Sequence, residues 1–411
     1  MFGIVLFCGA IEANRYYNFI QLRGKLRQNQ TPLSANFNRR EWFGFFIERA
    51  TRDVPAFRRM MEHLFWNTPF HEIDKESMKV GLYTIASASE LHDYYDKDYK
   101  QITDKIVETM SDSSDIHRDE LMPFIRINNL TTNHVPTTPL FQVYPIHLLF
   151  QLGRLYGDIS LRDWTRGEKE NGLVVYRRTF DKQKKNKLLF LHGVGLGVVP
   201  YLKFINKFAA LYGEIIIVEF PGISLHPCDK SYYPAAQEIV ETIVNEFAEG
   251  DLVDAIGHSY GSLVLSYIAN KAPRLLNKRV YLDTPAFFPE TVNFWPHVFK
   301  PITWSYIFNL LLKRKYAKAI SEFIFAEQWN QHLMHNATYF YEYCNLEYNL
   351  DENTLILIGA KDHLIASLDG AYNIQHYIEE YYPKVRIQVD PKGRHGDAVK
   401  KVDEILKFLL T

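Results

Sequence analysis

The chain has little of what would mark a disulfide-stapled, metal-built or nucleic-acid-binding protein. Its three cysteines, Cys8, Cys228 and Cys344, are far apart and odd in number, which fits neither a disulfide framework nor a zinc site and leaves the compartment open. Charge of one sign is also missing: 47 Lys and Arg stand against 48 Asp and Glu, so no basic field suggests a nucleic-acid partner. The one basic run, "KQKKNK" from Lys182 to Lys187, sits between two strand-like segments and reads as a solvated hairpin loop. The opening "MFGIVLFCGAI" is apolar for about ten residues, too few for a bilayer span, and lacks the positive n-region of a signal peptide. It is expected as a buried helix or strand, with a shallow or truncated membrane anchor as the alternative. The pair His332 and His335 has helical i, i+3 spacing but no carboxylate or thiolate at ligand spacing, so neither a metal nor a cofactor is expected. N-x-[ST] matches at Asn29, Asn129 and Asn336 are near chance frequency, and no internal repeat is visible.

What is present is enough for a sizeable core: 411 residues, 47% hydrophobic, long enough for two domains or for one large domain with insertions. Residues 1–165 hold aromatic-rich helical segments such as "REWFGFFIERATRDVPAFRRMMEHLFW", broken by the polar loops "MSDSSDIHRDE" and "NNLTTNHVPTTP". They are expected to form a helical accessory region. From residue 166 to 411 strands and helices alternate. Strand candidates begin at Leu173, Lys187, Glu214, Leu252, Arg279, Thr354 and Lys384. The segment "YLKFINKFAALY" gathers Leu202, Ile205, Phe208 and Ala209 on one helical face, and "EIVETIVNEF" does so with Ile239, Ile243, Val244 and Phe247. β-Branched runs alternating with one-sided helices predict a mostly parallel sheet covered by helices on both faces. Residues 284–350 are too many for a simple crossover between two strands and are expected as a helical cap. Roughly a quarter of that insertion is aromatic against 15% for the chain, which suits an apolar acyl pocket.

The chemistry-bearing positions lie where such strands end. In "AIGHSYGSLVL", Ser259 stands between Gly257 and Gly261 with a strand before it and a helix after it. That context is the one a nucleophile elbow requires, since a strained turn leaves no room for side chains at the flanking glycines. "LILIGAKDHLI" ends a strand with Gly359 and then Asp362, and "VDPKGRHGDAV" puts His395 in a glycine-flanked loop after the last strand. In that order His395 would take the proton of Ser259 while Asp362 fixes the histidine tautomer. Asp283 in "YLDTP" also ends a strand and is the rival acid, although an Asp before Thr-Pro is commonly a turn cap. The amides of Val194 and Tyr260 are the expected oxyanion donors, one after "FLHG" and one at a helix N-terminus. His192 reads as a structural hydrogen-bonder, and "EFPGIS", Glu219 to Ser224, as a tight turn at the pocket rim.

Together "FLHGVG", "GHSYG", "GAKD" and "GRHGD" resemble the α/β-hydrolase superfamily over about residues 170 to 411. The longer stretches "HGVGLGVVPYLKFI", "GHSYGSLVLSYI", "YLDTPAFF" and "FRRMMEHLFWNTPFHEI" are similar to a mainly fungal lineage of that superfamily. Its members carry a helical N-terminal region and often begin with a transmembrane segment. The resemblance implies an α/β-hydrolase fold with Ser259, Asp362 and His395 as the triad and Val194 and Tyr260 as oxyanion donors. A serine nucleophile excludes epoxide or haloalkane opening, which in this fold uses Asp. The leading expectation is therefore a lipase-like carboxylic ester hydrolase acting through an acyl-enzyme on a small-molecule or lipid-like ester. Acyl transfer on the same triad, or a catalytically silent scaffold, are the alternatives. A lipid-like substrate would go with peripheral membrane association, and the cytoplasm or a membrane surface are the compartments left open.

Overall fold

The computed structural model describes residues 54–65, 68–87, 97–110, 120–122, 155–157, 159–195, 197–220, 223–224, 236–285, 312–313, 350–362 and 370–411. Its centre is an eight-stranded sheet in the order β1-β2-β4-β3-β5-β6-β7-β8. The strands are β1 (Thr165–Glu168), β2 (Val174–Thr179), β3 (Lys187–Leu191), β4 (Glu214–Glu219), β5 (Val253–His258), β6 (Leu276–Leu282), β7 (Thr354–Gly359) and β8 (Arg386–Asp390). β2 pairs antiparallel with β1 and β4, and every pair from β4 to β8 is parallel. The expected sheet, mostly parallel, is therefore present.

Period-2 geometry sends alternate residues of each strand into two cores. On β4, Ile216 and Val218 join one apolar cluster while Ile215 and Ile217 join the other, and all four are fully buried. Burying such a side chain contributes about 1.5–3 kcal/mol, which explains why these strands are continuous β-branched runs rather than alternating ones. The first face is covered by α4 (Ala236–Val244), α5 (Tyr260–Lys271) and α6 (Gly370–Tyr381). Phe57, Met61 and Leu64 of α1 (Val54–Leu64), Met78 and Val80 of α2 (Lys75–Ser87) and Ile106 of α3 (Lys97–Met110) belong to the same cluster. The second face is covered by residues 199–212 and by α7 (Val402–Leu410), through Leu202, Ile205, Phe208, Ile405 and Phe408.

Three sequence expectations meet differences here. β1, with the sequence Thr-Arg-Gly-Glu, is a short edge strand whose residues are mostly exposed, so it has no apolar alternation to announce it. "KQKKNK" is exposed but is not a hairpin, because β4 lies between β2 and β3 in the sheet. The segment after β3 is no single helix: it winds through 3₁₀ turns at Val199–Tyr201 and Asn206–Phe208 around a short α-helical turn, Leu202–Ile205. Leu202, Ile205 and Phe208 are buried all the same. Nearly all of the expected cap, the chain's opening, the three cysteines, His332 and His335 lie outside the described residues.

Parallel pairing brings one set of strand ends to a common edge. Leu191 pairs with Gly257, His258 with Leu282, Leu282 with Leu357, and Gly359 with Asp390. The loops carrying Gly193, Ser259, Asp283, Asp362 and His395 all leave the sheet from that edge, where ligands of open α/β sheets bind.

Candidate active site

Ser259 links β5 directly to α5 and has φ 51° and ψ −119°. A non-glycine residue at positive φ is strained by roughly 1–3 kcal/mol and persists only where its surroundings over-determine it. Here Ser259 N–H donates to Leu282 O of β6 at 2.9 Å, and Ser259 O accepts from Ser262 N–H at 2.9 Å. The flanking glycines are required by close approach: a Cβ on Gly257 would sit 2.6 Å from Gly261 O, and one on Gly261 would overlap the Leu191 carbonyl. The helix beyond is buried nearly all round, and its two serine hydroxyls are satisfied, Ser266 by Leu263 O at 2.7 Å and Ser262 by Thr284 Oγ1 at 2.7 Å.

His395 reaches this serine across the sheet edge. Its Nε2 lies 3.1 Å from Ser259 Oγ, and its Nδ1 lies 2.8 Å from Oδ2 of Asp362. Asp362 is fully buried, and the His395 side chain is 23% exposed. The two loops that carry them are sewn together by backbone: Ala360 N–H donates to Asp390 O at 2.9 Å and Lys361 N–H to Gly393 O at 2.8 Å. Asp390 Oδ1 in turn accepts from Lys392 N–H at 2.9 Å and Gly393 N–H at 3.1 Å. The ring's distance from the carboxylate is thus fixed by the ends of adjacent strands, β7 and β8.

The electrostatics follow from that geometry. Burial on its own would lower the pKa of His395, but the Asp362 charge and hydrogen bond, with Asp283 adding to them, raise it to about 9. A carboxylate bonded to Nδ1 leaves Nε2 of the neutral ring as the acceptor facing the serine hydroxyl. The arrangement can therefore remove a proton from Ser259 Oγ and hold the resulting imidazolium.

Asp283, the rival acid, is also fully buried and has φ 45°, but it bonds to the histidine's loop rather than to its ring. Its Oδ2 accepts from Gly396 N–H at 2.8 Å and Ala398 N–H at 3.3 Å. His258, which precedes Ser259, was not picked out by motif reading. It is buried with Nδ1 2.8 Å from the Tyr201 hydroxyl and Nε2 3.5 Å from Asp283 Oδ2. Its ring centroid lies 5.3 Å from that of His395. The signal available was its place in "GHSYG"; its partners come from other strand ends and leave no local pattern.

The remaining expected positions are near. Val194 follows Gly193 just beyond β3, and a Cβ on Gly193 would sit 2.8 Å from Ser259 Cβ, so this turn lies against the serine. Tyr260 is the first residue of α5, where unsatisfied amides and the helix dipole favour negative charge. His192 gives both ring nitrogens to backbone, Nδ1 to Gly193 O at 2.7 Å and Nε2 to Phe220 N–H at 2.9 Å. It ties the ends of β3 and β4 together. Ile223 N–H donates to Phe220 O at 3.0 Å, and the two residues between them lie outside the described ones. Among the described residues no group of three His, Cys, Asp or Glu could hold a metal ion, and no helix is long and apolar enough to cross a membrane.

Residues 188–399, a little over half of the chain, match the model of the Alpha/beta hydrolase family. Among solved structures, a carboxylesterase of the thaumarchaeon Nitrososphaera gargenis is similar at 14% identity, over 60% of this chain and 96% of its own, with a TM-score of 0.43. A bacterial membrane phospholipase A aligns at 18% identity over 66% of this chain and 95% of its own, TM-score 0.45. A putative lipase from Acinetobacter baumannii AYE aligns at 14% over 64% and 95%, TM-score 0.45. Among curated proteins no relative matches. The helix-flanked, mostly parallel sheet is the α/β-hydrolase fold.

Proposed function

Because the chain belongs to the alpha/beta hydrolase family, we propose that it is a serine hydrolase that cleaves a carboxylic ester through an acyl-enzyme, with Ser259 as nucleophile, His395 as general base and Asp362 as orienting acid. The observation that carries the proposal is the continuous hydrogen-bonded path from Ser259 Oγ through His395 to Asp362, 3.1 and 2.8 Å, at a serine held at positive φ. A buried ion-paired histidine can be purely structural; a strained serine at its other nitrogen is not needed for that.

The steps follow from these atoms. Ser259 Oγ attacks the ester carbonyl as its proton passes to His395 Nε2, and the carbonyl oxygen takes the negative charge. The amides of Val194 and Tyr260 are the donors proposed for that oxyanion, a contribution worth about 2.7–4 kcal/mol for a single donor in comparable sites. Collapse of the tetrahedral species breaks the bond to the alcohol oxygen, which leaves with the proton from His395. Water then attacks the acyl-enzyme by the same route, giving its proton to His395, and the acid departs as Ser259 recovers its own.

Residues 166–411 are proposed as the hydrolase domain and 1–165 as a helical accessory region. Residues 284–350 are proposed as a cap that binds a lipid-like acyl chain, on the strength of their aromatic content and of their position between β6 and β7, whose ends flank Ser259 and Asp362. The test is turnover of p-nitrophenyl esters by the full chain and by Ser259→Ala. Hydrolysis lost in the variant with its fold intact is expected. Hydrolysis retained would assign the nucleophile elsewhere.

A further inference from the structure

We propose that Asp283 is a positioning residue for the same reaction, clamping the loop of His395 by its backbone and giving the imidazolium formed there a second buried negative charge. The inference rests on the reading of Ser259, His395 and Asp362 given above and goes beyond it.

A polar chain runs behind the triad and joins the loop after β3 to the loop after β8. The Tyr201 hydroxyl, on the segment that follows β3, lies 2.8 Å from His258 Nδ1. The acceptor-only carboxylate oxygen of Asp283, 3.5 Å from Nε2, favours the ring proton of His258 on Nε2, which makes the Tyr201 hydroxyl the donor to Nδ1. The same oxygen accepts the amides of Gly396 and Ala398, on either side of Asp397 and immediately after His395. Asp283 Oδ1 has no hydrogen-bond partner among the described residues.

The clamp alone does not require a charge. An asparagine carbonyl could accept the same two amides, without the penalty of burying a carboxylate that has one oxygen unsatisfied. His258 does not compensate it: the ring is buried, and desolvation keeps its pKa below the ordinary value despite Asp283, with the His395 charge pushing the same way. The negative charge therefore acts on the next ring, His395, whose centroid lies 5.3 Å from that of His258 at an interplanar angle of 50°. Among the described residues the groups facing His395 are Asp362, Asp283, His258 and Ser259. Of the other charged residues of its loop, Asp397 accepts the Arg394 backbone N–H at 2.9 Å and pairs with Lys400, Asp390 pairs with Lys401 at 2.8 Å, and Lys392 and Arg394 are exposed.

The experiment is the pH dependence of kcat/KM for p-nitrophenyl butyrate, from pH 5 to 10, in the full chain and in Asp283→Asn and Asp283→Ala. Asp283→Asn keeps the acceptor and removes the charge. Its acid limb should move down by about one pH unit, the lower end of what an opposite charge at this range does, while kcat on the alkaline plateau stays within about tenfold. Asp283→Ala loses the clamp as well, and its plateau kcat should fall by about 10² with KM little changed, as for a misplaced catalytic group. An unmoved acid limb in a folded Asp283→Asn overturns the electrostatic role, and equal plateaus in the two variants overturn the clamp. Should Asp283→Asn not fold, NMR titration of His395 in Asp362→Asn decides: a pKa at or above about 6.5 supports the second charge, and one well below overturns it. Persistent hydrolysis by Ser259→Ala would sink the triad reading instead and take this inference with it.

Discussion

Two histidine–aspartate pairs stand side by side at the edge of the sheet, and they behave oppositely. His395 is bonded to Asp362 at 2.8 Å, keeps 23% of its side chain exposed and holds its proton to about pH 9. His258 lies 3.5 Å from Asp283, has 6% of its side chain exposed and has its pKa lowered. Both rings pay for burial and both face a carboxylate. What differs is a short hydrogen bond to the charge, which outweighs desolvation in one pair and is missing in the other. Each ring has a hydroxyl at its second nitrogen, Ser259 for His395 and Tyr201 for His258, but only Ser259 is held at positive φ in a strand-to-helix turn.

The sharpest break between the pairs is removal of each ring. His395→Ala should lower kcat by about 10⁶, as loss of a triad base does in comparable enzymes. His258→Gln, which retains some hydrogen bonding, should cost less than about 10². Steady-state kinetics on a p-nitrophenyl ester measure both, and similar losses would erase the distinction. Next in size is the exchange of the acids: Asp362→Asn should slow turnover by roughly 10⁴ because the amide favours the wrong tautomer, far more than Asp283→Asn. The reverse order would make Asp283 the triad acid.

The pH profile sharpens the same contrast. Only neutral imidazole accepts the serine proton, and a raised pKa means the ring stays protonated to higher pH. Activity should therefore fall as pH drops through a value above the model figure of about 6.5, toward 9. His258, whose pKa burial lowers, should add no second limb above the ordinary histidine range. Flat kcat/KM between pH 5 and 8 would contradict the assignment of His395. The smallest expected effect concerns substrate length: each methylene buried under the proposed cap adds about 0.8 kcal/mol, close to fourfold in kcat/KM. Efficiency should climb from acetyl to about octanoyl esters, and a steady decline would remove the acyl-binding role from residues 284–350.

Much of this arrangement was legible before any coordinates. Seven of the eight strands carry apolar residues that mark them in the sequence, and their ends located Ser259, Asp362 and His395, which the fold brings within hydrogen-bond distance. β1 escaped because an exposed edge strand buries nothing that periodicity could report. The false hairpin at Lys182 to Lys187 came from treating neighbours in sequence as neighbours in the sheet, where β4 in fact intervenes. Asp283 looked like a competitor for the ring because sequence gives strand ends and not directions. Its left-handed backbone aims the carboxylate at amides 113 and 115 residues away. The Tyr201–His258–Asp283 chain draws on three separate segments and has no motif of its own.

The central claim is that Ser259 is the nucleophile, and the most direct test is covalent. The full chain would be treated with a fluorophosphonate, digested, and the modified peptide identified by tandem mass spectrometry. The account predicts a single phosphonylated residue, Ser259, in the peptide containing "GHSYG", with labelling slowed as pH falls and absent in folded Ser259→Ala. A label on any other serine, or none on a folded wild-type chain, would contradict it.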